Sequence, residues 1–131
     1  MSIRADELMA GDLVRSTFFA NVCRVSCISF EEGYGFVKLQ GDYMMRSDLS
    51  IIPIVLTTEI LINNGWINED DDEDEQLMTH TWRSAERTIM LSEMPENGTF
   101  MFNRIVIKYV HELQHALKLK GKKEEADKFV A

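Results

Sequence analysis

The stretch of the sequence that most clearly suggests a chemical activity is the motif H-E-x-x-H. It places His111, Glu112 and His115 within five consecutive positions. Residues four apart on a helix share one face, so both imidazoles could hold a Zn²⁺ ion while the glutamate activates a metal-bound water. The motif raises the hypothesis of a zinc-dependent hydrolase. The motif is a weak signal, because it specifies the residue type at only three of five positions, and an ordinary amphipathic helix can match it by chance.

The neighbours of the motif argue against a metal. Lys108 and Lys118 lie on the same helix face, one turn before and one turn after the histidines, and their charge disfavours a cation there. A zinc site also needs a third protein ligand. The longer form of the motif, H-E-x-x-H-x-x-G-x-x-H, has a glycine and a third histidine where this chain has Lys118 and Gly121. His80 is the only other histidine of the sequence. No third ligand is evident.

Periodicity predicts that the motif lies on an amphipathic helix from Val106 to Leu119. At about 100° per residue, one apolar stripe comprises Val106, Tyr109, Val110, Leu113, Ala116 and Leu117. His111 and His115 fall nearly opposite this stripe, so we expect both imidazoles in solvent and Leu113 in the core. On this interpretation the chain has no catalytic, metal-binding or cofactor-binding residue. The alternative is a zinc enzyme with His111 and His115 as ligands and Glu112 as its catalytic residue.

The elements that would position these residues predict the α+β class. Residues 1–52 begin with a short helical turn, ADELMA, and continue as strand-forming runs separated by glycine-containing turns. They are expected to form a small, strongly bent sheet or barrel of SH3-like form. Cys23 and Cys27, about 13 Å apart along one strand, are expected to be free thiols.

Residues 53–131 are predicted to form an α+β subdomain. A short helix begins at Thr57 or Thr58 as N-cap and ends at Gly65. A β-meander follows, with strands at Leu77 to Ser84, Arg87 to Met94 and Thr99 to Ile107, then the C-terminal helix and a last short helix in KKEEADKFV. The two parts could also form one compact domain. Eight aromatic residues are expected in the core: Phe18, Phe19, Phe30, Phe36, Trp66, Trp82, Phe100 and Phe102.

The charge of the chain is concentrated in one segment. The net charge is −8, and seven acids stand in the run EDDDEDE, Glu69 to Glu75. We expect a solvated loop over residues 68–76, because mutually repelling carboxylates resist burial and the run lacks the ligand spacing of a calcium loop. A basic footprint for nucleic acid is absent, so binding to nucleic acid is not expected.

Membrane and export signals are also missing from the sequence. No run approaches the ~18 apolar residues that span a bilayer, and the N-terminus has no apolar signal segment. The expected location is the cytoplasm, without a membrane partner.

Three stretches resemble a family of short proteins carried by gut Bacteroidales and their phages or mobile elements. They are ADELMAGDLV, Ile52 to Trp66, and Ile107 to Gly121. The family patterns are I-P-I-P-L-T-E-E-I-L…G-F and Y-V-H-x-L-Q. The positions that fit them are Pro53, Leu56, Thr57, Glu59, Ile60, Leu61 and Gly65, then Tyr109, Val110, His111, Leu113 and Gln114. Val55 departs from the first pattern, where the family tends to have a second proline.

The resemblance implies an origin rather than a mechanism. The family pattern fixes neither a glutamate at 112 nor a histidine at 115, which favours a chance zinc motif. Our first hypothesis is a non-enzymatic binding protein that is directed at a protein or small-molecule ligand. The resemblance implies its phage or mobile-element origin, and an action against a host pathway is one interpretation of that origin. A third hypothesis is an acidic mimic of nucleic acid built on Glu69 to Glu75. The oligomeric state stays open.

Overall fold

In the computed structural model the chain divides into two units, residues 1–54 together with Ala131 (unit 1) and residues 55–130 (unit 2). The structure describes residues 2–68, 80–84, 86, 89–94 and 97–131. Across this part of the chain, two antiparallel sheets and three α-helices confirm the predicted α+β class. The acidic run, Glu69 to Glu75, lies outside the described residues. So do residues 77–79 of the predicted strand Leu77 to Ser84 and residues 87–88 of the predicted strand Arg87 to Met94.

Unit 1 is a five-stranded antiparallel sheet with the strand order β4-β3-β2-β1-β5. Its strands are β1 (Leu13–Ser16), β2 (Phe19–Glu31), β3 (Tyr34–Leu39), β4 (Met45–Ser47) and β5 (Ile51–Ile52), and 3₁₀ turns stand at Ala5–Glu7 and Asp48–Ser50. The long strand β2 pairs with β1 from Phe19 to Arg24 and with β3 from Val25 to Glu31. A register shift between Val25 and Cys27 accompanies the change of partner. This arrangement is compatible with the expected SH3-like barrel.

The interior of unit 1 is aliphatic. Its buried cluster consists of Ile3, Ala5, Leu8, Val14, Val25, Val37, Leu39 and Ile51. The N-terminal segment around the Ala5–Glu7 turn contributes three of these side chains, Ile3, Ala5 and Leu8, and Ile3 N donates to Ile51 O at 2.9 Å. The predicted helical turn in ADELMA therefore exists as a 3₁₀ turn, and it covers one end of the sheet's core.

Gly35 in β3 leaves space for that N-terminal turn. Ala5 N donates to Oδ2 of Asp48 at 2.9 Å. A Cβ atom added to Gly35 would lie 2.5 Å from that oxygen and 2.6 Å from Cβ of Ala5. The absence of a side chain at this position lets the turn and the Asp48 carboxylate meet over the strand.

Unit 2 contains a meander sheet and three helices. Its elements are α1 (Thr58–Asn63), β6 (Ile67–Asn68), β7 (His80–Arg83), β8 (Met90–Met94), β9 (Thr99–Phe102), β10 (Ile105–Ile107), α2 (Val110–Leu119) and α3 (Lys123–Lys128). The strand order is β10-β9-β8-β7-β6. Helix α1 begins as predicted, because Oγ1 of Thr57 accepts a hydrogen bond from Ile60 N at 3.2 Å, and Gly65 follows it with φ of 80°.

The predicted strand Thr99 to Ile107 is instead a hairpin. Asn103 and Arg104 form its turn with φ angles of 46° and 72°, as in the two-residue turns that fit the twist of a hairpin. Val106 therefore belongs to β10 and is 54% exposed. The predicted helix start at Val106 is wrong, because the β-branched run Ile105 to Ile107 extends the sheet and α2 begins only at Val110.

The C-terminal segment is bound to the rest of unit 2 by buried side chains and by one asparagine. Leu113 is fully buried, as predicted, and Phe129 is 2% exposed. Asn64 Nδ2 donates to Val130 O at 2.7 Å, and Val130 N donates back to Oδ1 at 2.9 Å. Of the helices that the structure describes, none combines the length and the apolar character of a membrane span.

The close approach at Gly35 predicts that Gly35→Ala destabilises unit 1 by about 1–3 kcal/mol, since the added methyl group overpacks a filled contact. Ser29→Ala is the control, because Ser29 is an exposed residue of the same hairpin. Chemical denaturation of both variants checks this expectation. Equal denaturation midpoints for the two variants would contradict the prediction, because they would show that Ala5 and Asp48 can move to accommodate the added methyl group without loss of stability.

Candidate functional site

Helix α2 brings the two motif histidines together but buries one of them. The ring centroids of His111 and His115 are 5.7 Å apart in an edge arrangement, and Tyr109 stacks on His111 at 5.8 Å. His111 is 5% exposed, so the expected solvent position is wrong for this residue. His115 is half-buried. The buried side chains of α2 extend from Ala116 round to His111, an arc of about 220° at ~100° per residue, which is wider than the predicted stripe.

Glu112 has a structural partner at the start of α2. Its Oε1 accepts hydrogen bonds from Tyr109 N at 2.8 Å and from Lys108 N at 3.0 Å. These are backbone donors that a helix leaves unsatisfied at its first turn, and a glutamate at the third helical position is the residue that reaches back to them. The carboxylate thus helps to fix where α2 begins.

Metal ligation would need further residues around this pair. Among the described residues, no group of three or more His, Cys, Asp and Glu side chains could hold a metal ion. Lys108 Nζ lies 5.5 Å from the centroid of the Tyr109 ring, which places a positive charge beside the histidine stack. The expectation that the protein binds no zinc stays a prediction, to be checked by elemental analysis.

The aromatic side chains of unit 1 are the feature that the sequence interpretation missed. Phe18, Phe19 and Phe30 are 59%, 40% and 57% exposed, so the prediction that they lie in the core is wrong. Tyr34 and Tyr43 are 71% and 99% exposed. The prediction is confirmed for the buried residues Trp66, Trp82, Phe100 and Phe102. All the strongly exposed phenylalanine, tyrosine and tryptophan side chains of the described chain therefore lie between positions 18 and 43.

Four residues of unit 1 form a cluster around an arginine side chain, which we call the arginine cluster: Phe18, Phe19, Asp42 and Arg46. The guanidinium carbon of Arg46 lies 4.3 Å from the Phe18 ring centroid and 5.6 Å from that of Phe19. Asp42 accepts from the Arg46 guanidinium at 2.8 and 3.3 Å. This hydrogen bonding from Arg46 is the main cause that lowers the pKa of Asp42. The cluster connects β4 to the β1–β2 turn and fixes the direction of Phe18.

A second feature, the hairpin face, is defined by Glu31, Glu32, Tyr34 and Phe36 at the β2–β3 turn. These four residues line a surface pocket of about 330 Å³. Glu31 pairs directly with Tyr34 across the hairpin, so both side chains point to the same side of the sheet. Phe36 follows two positions later on that side. The hairpin face thus combines two aromatic rings with two carboxylates.

Both thiols of unit 1 are free, as predicted. Burial raises the pKa of the Cys23 thiol, and the Asp42 carboxylate raises it further. A raised thiol pKa keeps less thiolate at neutral pH, and the thiolate is the nucleophile. Cys23 therefore has the environment of a packed residue rather than of a reactive one.

No protein-family model matches the chain, and neither a curated protein nor a solved structure matches it. The functional argument therefore depends on the geometry of the chain's own residues.

The position of Glu112 predicts that Glu112→Ala destabilises unit 2 by about 0.5–2 kcal/mol, because the first turn of α2 loses its acceptor. Glu59→Ala is a matched control, since Glu59 stands in the first turn of α1 and senses a similar helix dipole. Urea denaturation of both variants measures the difference. A Glu112→Ala effect no larger than that of the control would contradict a capping role.

Glu125 in α3 provides a pH test. Both of its carboxylate oxygens are shielded from solvent and have no hydrogen-bond partner among the described residues. Burial raises the pKa of this carboxyl, nearby Glu86 raises it further, and Lys122 lowers it. Because the pKa is higher in the folded state, the charged form destabilises the fold. Its protonated form stabilises the fold below the ordinary glutamate pKa of about 4.3, and this contribution is lost as the pH rises through the raised value.

We therefore expect Glu125→Gln to raise the melting temperature at pH 7 and to lose this advantage below about pH 4, where the carboxyl is already neutral. Glu124→Gln, at the exposed neighbouring position, should show no comparable pH-dependent gain. Thermal unfolding from pH 3 to 8 measures both variants. A Glu125→Gln protein that is less stable than the parent at pH 7 would overturn the assignment.

Proposed function

We propose that the protein is a small non-enzymatic binding protein whose unit 1 contacts a protein partner through its exposed aromatic side chains. The observation that carries this proposal is the exposure of Phe18, Phe19, Phe30, Tyr34 and Tyr43 within one stretch of the chain. Aromatic side chains supply large contact areas and are enriched at interfaces and their energetic centres. Leaving five of them in water is unfavourable for folding alone, which supports a role in association.

The methionines beside these aromatics support the same function. Met44 and Met45 are 58% and 38% exposed, and in the sequence they lie between Tyr43 and Arg46. Methionine is flexible and polarizable, so it adapts to the shape of a partner. Leu49, which is 77% exposed, extends the apolar character beyond β4.

The contacts of Glu112 favour binding over hydrolysis as the proposed activity. A catalytic glutamate must present its carboxylate to a metal-bound water, whereas Oε1 of Glu112 accepts from two backbone donors. The phage or mobile-element origin and the cytoplasmic location belong to the same proposal, and the sequence resemblance and the composition support them. An action on a host pathway is its most specific form.

The test places the photo-crosslinking residue p-benzoylphenylalanine at Tyr43 in cells that produce the native protein, with the same residue at Ile62 as control. Ile62 in α1 is an apolar side chain that is 59% exposed. We expect a specific cross-link to another protein from position 43 only. A chain cross-linked solely to its own copies, or equally from both positions, would contradict the proposal.

The captured protein is then purified and its affinity measured by calorimetry. Tyr43→Ser and Phe19→Ser are expected to weaken binding about tenfold or more, as truncation of central aromatic contacts does. Ile62→Ser and Leu119→Ser, at exposed apolar positions of unit 2, should leave the affinity unchanged. Equal losses in the two groups would show that the aromatic side chains of unit 1 are not the contact.

A further inference from the structure

We infer that the hairpin face binds the side chain of an arginine in a partner polypeptide. This inference rests on the proposed binding function and specifies the chemistry of one part of the contact. The observation that carries it is the composition of the pocket: Tyr34 and Phe36 contribute rings, Glu31 and Glu32 contribute carboxylates, and no basic side chain from the described part of the chain lines it.

The strand register places the rings on the outer side of the sheet. Val37, which is fully buried, points inward, so its neighbours Phe36 and Lys38 point outward. Tyr34 lies on the outer side as well, about 6.6 Å from Phe36 along the strand. The two rings therefore form the walls of a shallow slot that is open to solvent.

The carboxylates beside the slot are available for a ligand. Among the described residues, the side chains of Glu31 and Glu32 make no ion pair, in contrast to Asp42, which pairs with Arg46. The nearest basic residue on the outer side of β3 is Lys38, which is two positions from Phe36 and four from Tyr34, about 6.6 and 13 Å along the strand. Two carboxylates against this one ammonium group leave the local charge around the slot net negative.

Both kinds of lining group select a cation. Aromatic faces attract a cation that lies over them, and carboxylates form charge-assisted hydrogen bonds with it. A guanidinium satisfies both at once, because its plane stacks on a ring while its edge donates two parallel hydrogen bonds to a carboxylate. An ammonium is a compact point charge that has no plane to stack on a ring and no fork that matches a carboxylate, so arginine is favoured over lysine.

Glu32 allows a binding role to be separated from a structural one. It occupies the first position of the two-residue turn with φ of 51°, followed by Gly33 with φ of 82°. Asparagine followed by glycine is the preferred sequence in this type of turn. Glu32→Asn should therefore keep or raise the stability of the hairpin while removing one carboxylate from the slot.

The test uses nitrogen-15 NMR of the full chain with the peptide Ac-Gly-Arg-Gly-Arg-Gly-NH₂. The control peptide has citrulline, the neutral isostere, in place of each arginine. We expect the arginine peptide to shift the amide signals of Gly33, Tyr34, Gly35 and Phe36, and the citrulline peptide to leave them in place. Shifts confined to the acidic run Glu69 to Glu75, or equal shifts with both peptides, would overturn the inference.

Variants complete the experiment. Glu32→Asn and Tyr34→Ala are each expected to weaken the arginine peptide about three- to fivefold, the size of an exposed cation–π or ion-pair contact. Glu59→Gln and Leu119→Ala, which remove an exposed acid and an exposed apolar side chain of unit 2, should leave its affinity unchanged. Equal weakening by test and control variants would show non-specific attraction to an acidic protein and would end the assignment.

The two proposals fail separately. A partner captured at Tyr43 whose affinity is insensitive to Glu32→Asn would leave the binding function standing and remove the arginine slot. Arginine-specific shifts at the hairpin face without any protein captured at Tyr43 would support the arginine site. They would contradict the proposed protein contact through the exposed aromatic side chains.

Discussion

The small interior of unit 1 is the constraint on which the rest of the candidate site depends. A single long strand, β2, pairs with β1 along one half and with β3 along the other, and this bends the sheet around a narrow core. Protein interiors pack at near-crystalline density, and this one is filled by aliphatic side chains such as Val14, Val25 and Val37, all fully buried. Phe18, Phe19 and Phe30 are not members of this buried cluster and are 59%, 40% and 57% exposed. Aliphatic side chains thus form the core of the sheet, while these aromatic side chains stay in solvent.

A similar dependence on one local interaction governs the motif in unit 2. The carboxylate of Glu112 bonds to the backbone where β10 ends and α2 begins. That start sets the rotation of every later residue on the helix, and so it places Leu113 in the core and His111 beneath Tyr109. Oε1 of Glu112 is engaged by both backbone donors. The contacts of this carboxylate that the structure describes are therefore those of a helix cap.

Elements with local signals could be predicted from the sequence, and features that depend on packing could not. Thr57 and Gly65 mark the ends of α1 by side-chain and backbone chemistry that acts within a few residues. The turn at Asn103 and Arg104 was missed because it lacks glycine, and the helix start at Val106 was misplaced with it. Glu112 was missed as a cap because Tyr109, at the N-cap, is not one of the usual capping residues. Exposure of Phe19 and Phe30 was missed because β2 carries apolar residues on both of its faces, so alternation does not reveal which face is buried.

The charges around the exposed aromatics bear on which partner can cover them. A symmetric dimer formed through the hairpin face would bring the same patch of each copy together, and would therefore place Glu31 and Glu32 against their own counterparts. Like charges that meet in a desolvated contact oppose association, and a net charge of −8 adds a repulsion between copies at longer range. A partner with basic side chains meets neither obstacle, because the same carboxylates attract it. For the proposed binding function, the charge pattern therefore disfavours self-association through this face and favours a partner of opposite charge, to which the apolar rings would offer contact area.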